Sequence, residues 1–480
     1  MRRSITHLLD WGLSAAIALL FLVLMSSATS FVNTVYGGDA AIFRVVGSAL
    51  RNGQELYVDV WDHKGPMLFF IEWLGQVIRE GRAGIFAIQA TALTASLALV
   101  MSLARRFVPG VATAAILALM LAVLSFTFEG GNLSEEFSLP FIVFVLYGAL
   151  RALADEEDLR GRRELALFAG MGAAFAFTFF IRANNAMPIA GIFAGLLIQM
   201  LLRRVPVVKR FLAAVIGFLV VTGLIVGWFA LRGTLDDMMN ATFWFNMRYI
   251  GDASIRPKAA AYIGTIVFAT ALTAAGVIGQ VMRFGPRRPA WAVGAGLGAA
   301  SLYAVLSPTT SYAHYLTLIV PMIALGGLML LQVLTSRLRN LLAVGLLVAS
   351  SAAMGYQVPN AIRYAAAVHA AEAAYENQLE DVLASVPEDQ RGEVFPWSLP
   401  ATYYLMTDTL PTYKYFITQP WWGSVDPRVT ADTVAHIADT RPSWVLVPAS
   451  GPSDEDLQRL LDADYVSARA NDRFELFHLK

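Results

Sequence analysis

Apolar windows of membrane length recur through this chain. They lie near 11–31, 84–104, 108–126, 137–153, 165–181, 187–202, 211–231, 259–281, 291–306, 315–334 and 341–358. An α-helix rises about 1.5 Å per residue, so roughly 20 apolar residues cross the hydrocarbon core. In lipid every backbone polar group must be paired within the segment, and helices do this by themselves. The pattern therefore predicts an α-helical polytopic membrane protein with about 11 spans. Composition agrees, with 57% hydrophobic and only 15% charged residues in 480, where a soluble chain carries about 25% charged. The start, with Arg2 and Arg3 before an apolar run, has the look of a signal peptide. The run from Trp11 to Val32 exceeds a typical signal core, so a retained first helix is expected.

The connections alternate in charge. Arg2 and Arg3, Arg105 and Arg106, Arg151 with Arg160, Arg162 and Arg163, Arg203 with Arg204, Lys209 and Arg210, Arg283 with Arg287 and Arg288, and Arg337 with Arg339 mark one set. These short basic loops are expected in the cytoplasm. The mixed connections 32–83, 127–136, 182–186, 232–258 and 307–314 then lie outside, as does the polar tail after an odd number of spans. The expected division is a membrane module over 1–358 and a small C-terminal α/β domain over 359–480. In that tail SWVLVPAS and FELFHL read as strands, and Ser453 to Leu461 as a helix capped by Ser453. Net charge is zero, which gives no footing for nucleic acid. There is no cysteine, so disulfides, thiolate metal sites and cysteine nucleophiles are excluded. No Walker A, GxSxG, HExxH or Rossmann fingerprint occurs, so ATP bound by this chain is not the expected energy source.

Chemistry concentrates in the first outer loop, Tyr36 to Gln76. After Gly38 and Asp39, the residues Ile42, Phe43, Val46 and Leu50 share one helical face, and Arg44, Ser48 and Arg51 the other. A second helix is expected from Pro66, with Glu72, Gln76 and Arg79 as a polar stripe against Phe69, Phe70, Trp73, Leu74 and Val77. Both helices suit the membrane interface. Asp39 suits a helix N-cap, and equally a general base toward a hydroxyl. Between the helices, YVDVWDHKGP places Asp59, Asp62, His63 and Lys64 together. This is either a solvated turn or a site in which Lys64 meets a lipid phosphate and the two aspartates hold a divalent cation such as Mg or Mn.

Later outer loops add further candidates. In GGNLSEEFSLP, Asn132 and Glu135 suit a capping box, which leaves Glu136 without that duty. Arg182 with Asn184 and Asn185 suits either headgroup snorkelling or phosphate and sugar binding. His314, between Tyr312 and Tyr315, suits an interface belt, a phosphate donor or a metal ligand. Arg248, in FWFNMRYIGDASIRPK, is a candidate acceptor contact.

At these residues the chain resembles the GT-C glycosyltransferases, in particular bacterial relatives of protein O-mannosyltransferases and of the lipid A aminoarabinose transferase. Gly38-Asp39 after the first span, YVDVWDHKGP, SEEF, IRANN and SYAHYL carry the resemblance, over about 1–335. It implies a GT-C fold and transfer of a sugar, with inversion, from a polyprenyl-phosphate donor to a glycan, lipid or protein acceptor outside the plasma or inner membrane of a bacterium. It implies Asp39 as catalytic base and Lys64 at the donor phosphate. Glu135 or Glu136 would lie near the acceptor or a metal, with Arg182 and His314 facing the headgroup. Ala40 stands where the mannosyltransferases proper carry a second acid, and the tail lacks a β-trefoil pattern. The rival classes are a transporter or flippase of lipid-linked saccharides, and an O-antigen-type ligase or polymerase. A transporter would place charge within its spans, whereas here charge gathers in the outer loops.

Overall fold

The structure, a computed structural model, describes residues 2–32, 34–154, 160–250, 262–287, 290–308 and 312–480. Residues 251–261, which hold the end of the Arg248 loop and the start of one expected span, lie outside it, as do Arg288 and 309–311. Helices dominate. The chain runs α1 (Arg2–Met25), α2 (Asp39–Arg51), α3 (Pro66–Ile78), α4 (Ala83–Phe107), α5 (Gly110–Thr127), α6 (Ser134–Leu153) and α7 (Arg162–Ile181). It continues through α8 (Met187–Leu202), α9 (Val208–Arg232), α10 (Leu235–Met239), α11 (Phe245–Ile250), α12 (Ile263–Phe284), α13 (Trp291–Leu306), α14 (Val320–Val333) and α15 (Ser336–Leu383). After these come β1 (Val394–Pro396), α16 (Thr402–Thr407), α17 (Gln419–Val425), α18 (Arg428–Thr440), β2 (Trp444–Pro448), α19 (Glu455–Asp464), β3 (Tyr465–Ala470) and β4 (Phe474–Leu479).

Among the described residues, ten helices are long and apolar enough to cross a membrane. The remaining expected span, 291–306, is α13, which is apolar but only 16 residues long. α8 and α14 are each preceded by a 3-10 turn, Ala183–Ala186 and Ala313–Ile319, which lengthens them toward membrane thickness. The last expected span, 341–358, does not end where its apolar run does. It is the first part of α15, a single 48-residue helix about 72 Å long.

The chain packs into two compact units. The first comprises Met1–Ser26, Phe86–Trp228 and Ser254–Ile362. Its core is aliphatic, with Met120, Ile142, Ile189, Ile192, Leu196, Leu297 and Ile323 among its fully enclosed side chains. Lipid tails are as apolar as leucine, so helices in a bilayer associate by close packing, and small residues allow it. α8 and α13 meet in this way. A Cβ on Gly191 would lie 2.2 Å from the Gly296 carbonyl oxygen, and one on Gly195 2.2 Å from that of Ala292.

The second unit comprises Ser27–Ile85, Phe229–Ala253 and Arg363–Lys480. The expected C-terminal α/β fold is present as a four-stranded sheet in the order β1-β2-β4-β3. β1 and β2 are parallel, and the other pairs are antiparallel. Phe395, Trp397, Ile437, Val445, Val447, Leu457 and Leu461 fill its core. The helix after β2 is capped one residue later than Ser453, by Asp454, whose side chain accepts the Leu457 N–H at 3.0 Å. Ser453 itself takes φ of +55°.

In the same unit α2 lies against α3 with Gly47 at the crossing, where a Cβ would come 2.9 Å from the Glu72 carbonyl carbon. α3 begins at Pro66, as its sequence predicts. Leu68 and Phe69 are buried as in a soluble helix, but the second half of α3 is assigned the other way round. Glu72 and Gln76 are buried, while Trp73, Leu74, Val77 and Ile78 are exposed. An exposed apolar stripe on a helix too short to span matches the membrane interface. Arg44, on the expected polar face of α2, is also buried.

Candidate active site

Gly37 and Gly38 turn the chain into α2. Gly37 takes φ of +77°, a region that L side chains rarely adopt. Gly38 occupies the N-cap position, so Asp39 is the first helical residue and not the cap. Its carboxylate is about as accessible as a surface group, at 40% exposed. It lies at the N-terminal, positive end of the α2 dipole.

The loop from Glu55 to Gly65 brings Lys64 to this carboxylate. Tyr57 is buried with φ of +70°. Its N–H donates to the Val60 carbonyl at 2.7 Å, and its hydroxyl to the Lys64 carbonyl at 2.7 Å. Burial pushes the Tyr57 phenol well up, so it remains a donor. Asp59 Oδ2 accepts the Glu55 N–H at 2.7 Å, and Asp62 Oδ1 accepts the Lys64 N–H at 2.9 Å. The latter is an Asx-type turn, which sets the loop locally. Trp61 N–H donates to the Lys414 carbonyl at 3.0 Å, and its ring meets Phe245, Tyr415 and Trp422 edge-on. Asn246 Nδ2 holds the His63 carbonyl at 2.7 Å. The loop is therefore fixed on both sides. It sets Lys64 Nζ 3.5 Å from Asp39 Oδ2, 3.7 Å from Asp62 Oδ1 and 4.9 Å from the Phe43 ring centre.

These three charges differ in surroundings. Asp62 is 1% and Lys64 10% exposed, so they form a nearly enclosed pair. Asp39 is the accessible member. The expected pairing of Asp59 with Asp62 on a cation does not fit this geometry, since Asp62 faces Lys64 and both aspartates accept backbone N–H groups. Among the described residues no three of His, Cys, Asp and Glu gather to hold a metal. A resident cation of the Mg or Mn kind needs several converging oxygens, and this donor set does not supply them. His63 packs toward Phe245 and Trp421. Arg248 binds Asp426 at 2.5 Å and Asn240 at 3.0 Å. It ties α11 to the segment after α17, and Asp426 is held below the usual carboxylate range, chiefly by its hydrogen bonds from Arg428.

A second cluster lies in the first unit. Glu135 is 1% exposed, and Arg182 Nη1 donates to it at 2.7 Å. Arg182 Nη2 donates to the Tyr315 hydroxyl at 2.7 Å, with the guanidinium 4.4 Å from the Tyr315 ring centre. Asn185 donates to Ser138 at 3.0 Å, and Asn184 Nδ2 to the Ala304 carbonyl at 2.6 Å, at the end of α13. The two glutamates exchange their expected roles. Glu136 is at N3 and accepts the Leu133 N–H at 3.0 Å as half of a capping box, while Glu135 is the ion-pair partner. Glu136 also takes a hydrogen bond from Gln89 at 2.8 Å. His314 Nδ1 lies 2.5 Å from Glu129 Oε2, with Tyr312 stacked on its ring.

Sequence reasoning did not single out Tyr36, Arg82 or Glu372, and it put Arg44 on a solvent face. The guanidinium carbons of Arg44 and Arg82 lie 5.5 Å and 5.4 Å from the Tyr36 ring centre. Burial pulls Arg44 down to about 10, reinforced by Arg82 and opposed by Tyr36, Glu72 and Glu372. It remains a cation at neutral pH. The available signal was an arginine one residue from the middle of an apolar stripe, which is ambiguous by itself.

No protein-family profile and no curated protein sequence matches the chain. Solved structures do match. ArnT from Cupriavidus metallidurans bound to undecaprenyl phosphate is 15% identical, with a TM-score of 0.62 over 97% of this chain and 97% of that one. AglB, an oligosaccharyltransferase from Archaeoglobus fulgidus in complex with an inhibitory peptide and a dolichol-phosphate, is 12% identical, with a TM-score of 0.53 over 100% of this chain and 74% of that one. An oligosaccharyltransferase from the same organism in complex with Zn and sulfate is 14% identical, with a TM-score of 0.51 over 97% of this chain and 72% of that one. At such identities the likeness is one of fold: the chain has the GT-C fold.

Proposed function

We propose, proceeding from the GT-C fold, that this chain is a membrane glycosyltransferase. It moves a sugar from a polyprenyl-phosphate donor to an acceptor hydroxyl on a cell-envelope glycan, lipid or protein, on the extracytoplasmic face. The observation that carries this reading is the pair formed by an accessible Asp39 carboxylate and a nearly enclosed Lys64, 3.5 Å apart. One group accepts a proton, and the other matches a phosphate charge.

The reaction balances with these two groups. Asp39 takes the proton of the acceptor hydroxyl as its oxygen attacks the anomeric carbon. The bond from that carbon to the phosphate oxygen breaks on the opposite face, which inverts the configuration. The electron pair leaves with the polyprenyl phosphate, whose negative charge Lys64 stabilises as it develops. Lys64 carries three N–H donors. In this reading Nζ, 3.5 Å from Asp39 and 3.7 Å from Asp62, directs one of these donors to a phosphate oxygen. Arg182 makes a direct 2.7 Å ion pair with Glu135, and in this reading the phosphate is assigned to Lys64, beside Asp39.

The test is transfer of labelled sugar from a panel of undecaprenyl-phosphate sugars by the purified full-length chain with envelope lipid, glycan and protein acceptors. Labelled product from at least one donor is expected. No product from any donor, with a folded protein, overturns the reading.

A further inference from the structure

The backbone leading into α2 is irregular, yet groups far away in sequence hold it at every step. Val35 N–H donates to the Ser27 carbonyl at 3.1 Å, and the Val35 carbonyl accepts from Arg82 Nη1 at 2.8 Å. The Thr34 carbonyl lies 2.7 Å from His369 Nδ1, which must carry the proton there because a carbonyl only accepts. Tyr36 N–H points between both oxygens of Glu372, at 3.0 and 2.9 Å, and Gly37 N–H reaches the first of them at 3.3 Å. His369 and Glu372 are three residues apart on α15 and so share a face. One turn of that helix thus grips three backbone polar groups within the four residues Thr34 to Gly37. The two arginines flanking the Tyr36 ring fix the side chain of the same segment.

We propose that Glu372, together with His369, is a positioning residue for Asp39. The last gripped group is the Gly37 N–H, so only the Gly37–Gly38 link leads from the grip to Asp39, and two consecutive glycines are the least stiff link a chain can place there. Without an anchor just before them, the first turn of α2 can swing and carry Asp39 away from Lys64. A carboxylate suits the anchor because it accepts from two adjacent N–H groups at once. The catalytic consequence of this positioning rests on Asp39 acting as the base; the hold on the first turn of α2 does not.

The experiment uses the full-length protein in lipid nanodiscs, with Glu372→Ala and the milder Glu372→Gln. Hydrogen exchange reads the amides of 34–41, and steady-state kinetics use whichever undecaprenyl-phosphate sugar the parent accepts. Exchange at Tyr36 and Gly37 should rise roughly tenfold or more, as expected for lost hydrogen bonds to a charged group. kcat should fall about 10- to 100-fold from a misplaced base, with donor KM within about twofold of the parent. Added to Asp39→Asn, Glu372→Gln should cause no further fall, which a merely structural role would not produce. Unchanged exchange, freed amides with parental kcat, or an additive loss in the double variant overturns the proposal. If the parent uses no polyprenyl-phosphate sugar, the glycosyltransferase reading fails separately. Exchange across Asp39–Ala41 then decides: faster exchange in Glu372→Ala supports the positioning role, and unchanged exchange ends it.

Discussion

At the scale of single residues, the roles of Asp39 and Lys64 separate cleanly. Asn keeps the size and shape of Asp39 but carries no charge and cannot take a proton. General-base catalysis contributes about 10²–10⁴-fold, so single-turnover transfer by Asp39→Asn should fall by that order with an unchanged melting temperature. Transfer at the parental rate would move the base elsewhere. Lys64→Ala should raise donor KM, and it should also destabilise, because Asp62 at 1% exposure loses its cation. Breaking an enclosed pair from one side costs roughly 3–5 kcal/mol. Parental donor use below saturation would remove Lys64 from the phosphate. Asp39, Asp62 and Lys64 were legible in the sequence because two glycines and a short aromatic run isolate them from the apolar background. Tyr36 and Glu372 were not, since they meet across 336 positions. Neither was the exchange between Glu135 and Glu136, because one residue of shift in a helix start decides which acid caps and which faces inward.

At the scale of elements, periodicity foretold α2 and α3 but not their orientation. A hydrophobic stripe says which residues share a face, not which solvent that face meets. Next to lipid, Trp73, Leu74 and Val77 turn outward, while Phe69, Glu72 and Gln76 turn into the protein. Span positions were legible because length and hydropathy suffice. The end of α15 was not, because a helix leaving the bilayer needs no break to become polar. The crossing of α2 and α3 gives a prediction at this scale. Gly47→Ala puts a methyl 2.9 Å from the Glu72 backbone, and overpacking of this kind costs about 1–3 kcal/mol. A lower melting temperature is expected, with weakened transfer, since α2 begins with Asp39 and α3 follows Lys64. A variant as stable and active as the parent would show that the crossing yields without moving the site.

At the scale of the whole molecule, the alternating arginine loops make a topological claim. A reporter fused after Leu410 should read as extracytoplasmic and one after Arg160 as cytoplasmic. The same side for both would refute the eleven-span scheme. The C-terminal sheet was legible in outline from two of its strands. The composition of its unit was not, because segments from three distant stretches of chain pack together, and no local pattern announces that. This assembly has a consequence for biosynthesis. Trp61 is latched by the Lys414 carbonyl, Gln54 by the Pro411 carbonyl, and the turn before Asp39 by Glu372. At about 5–20 residues per second, the 336 residues between Tyr36 and Glu372 take roughly 20–70 seconds to translate. Through that interval the nascent chain already occupies the bilayer with its first loop unlatched. A ribosome stalled before Arg363 would leave an inserted protein whose Asp39 was never aimed. With Asp39 as the proposed base, completion of translation is thus itself the step that arms the site.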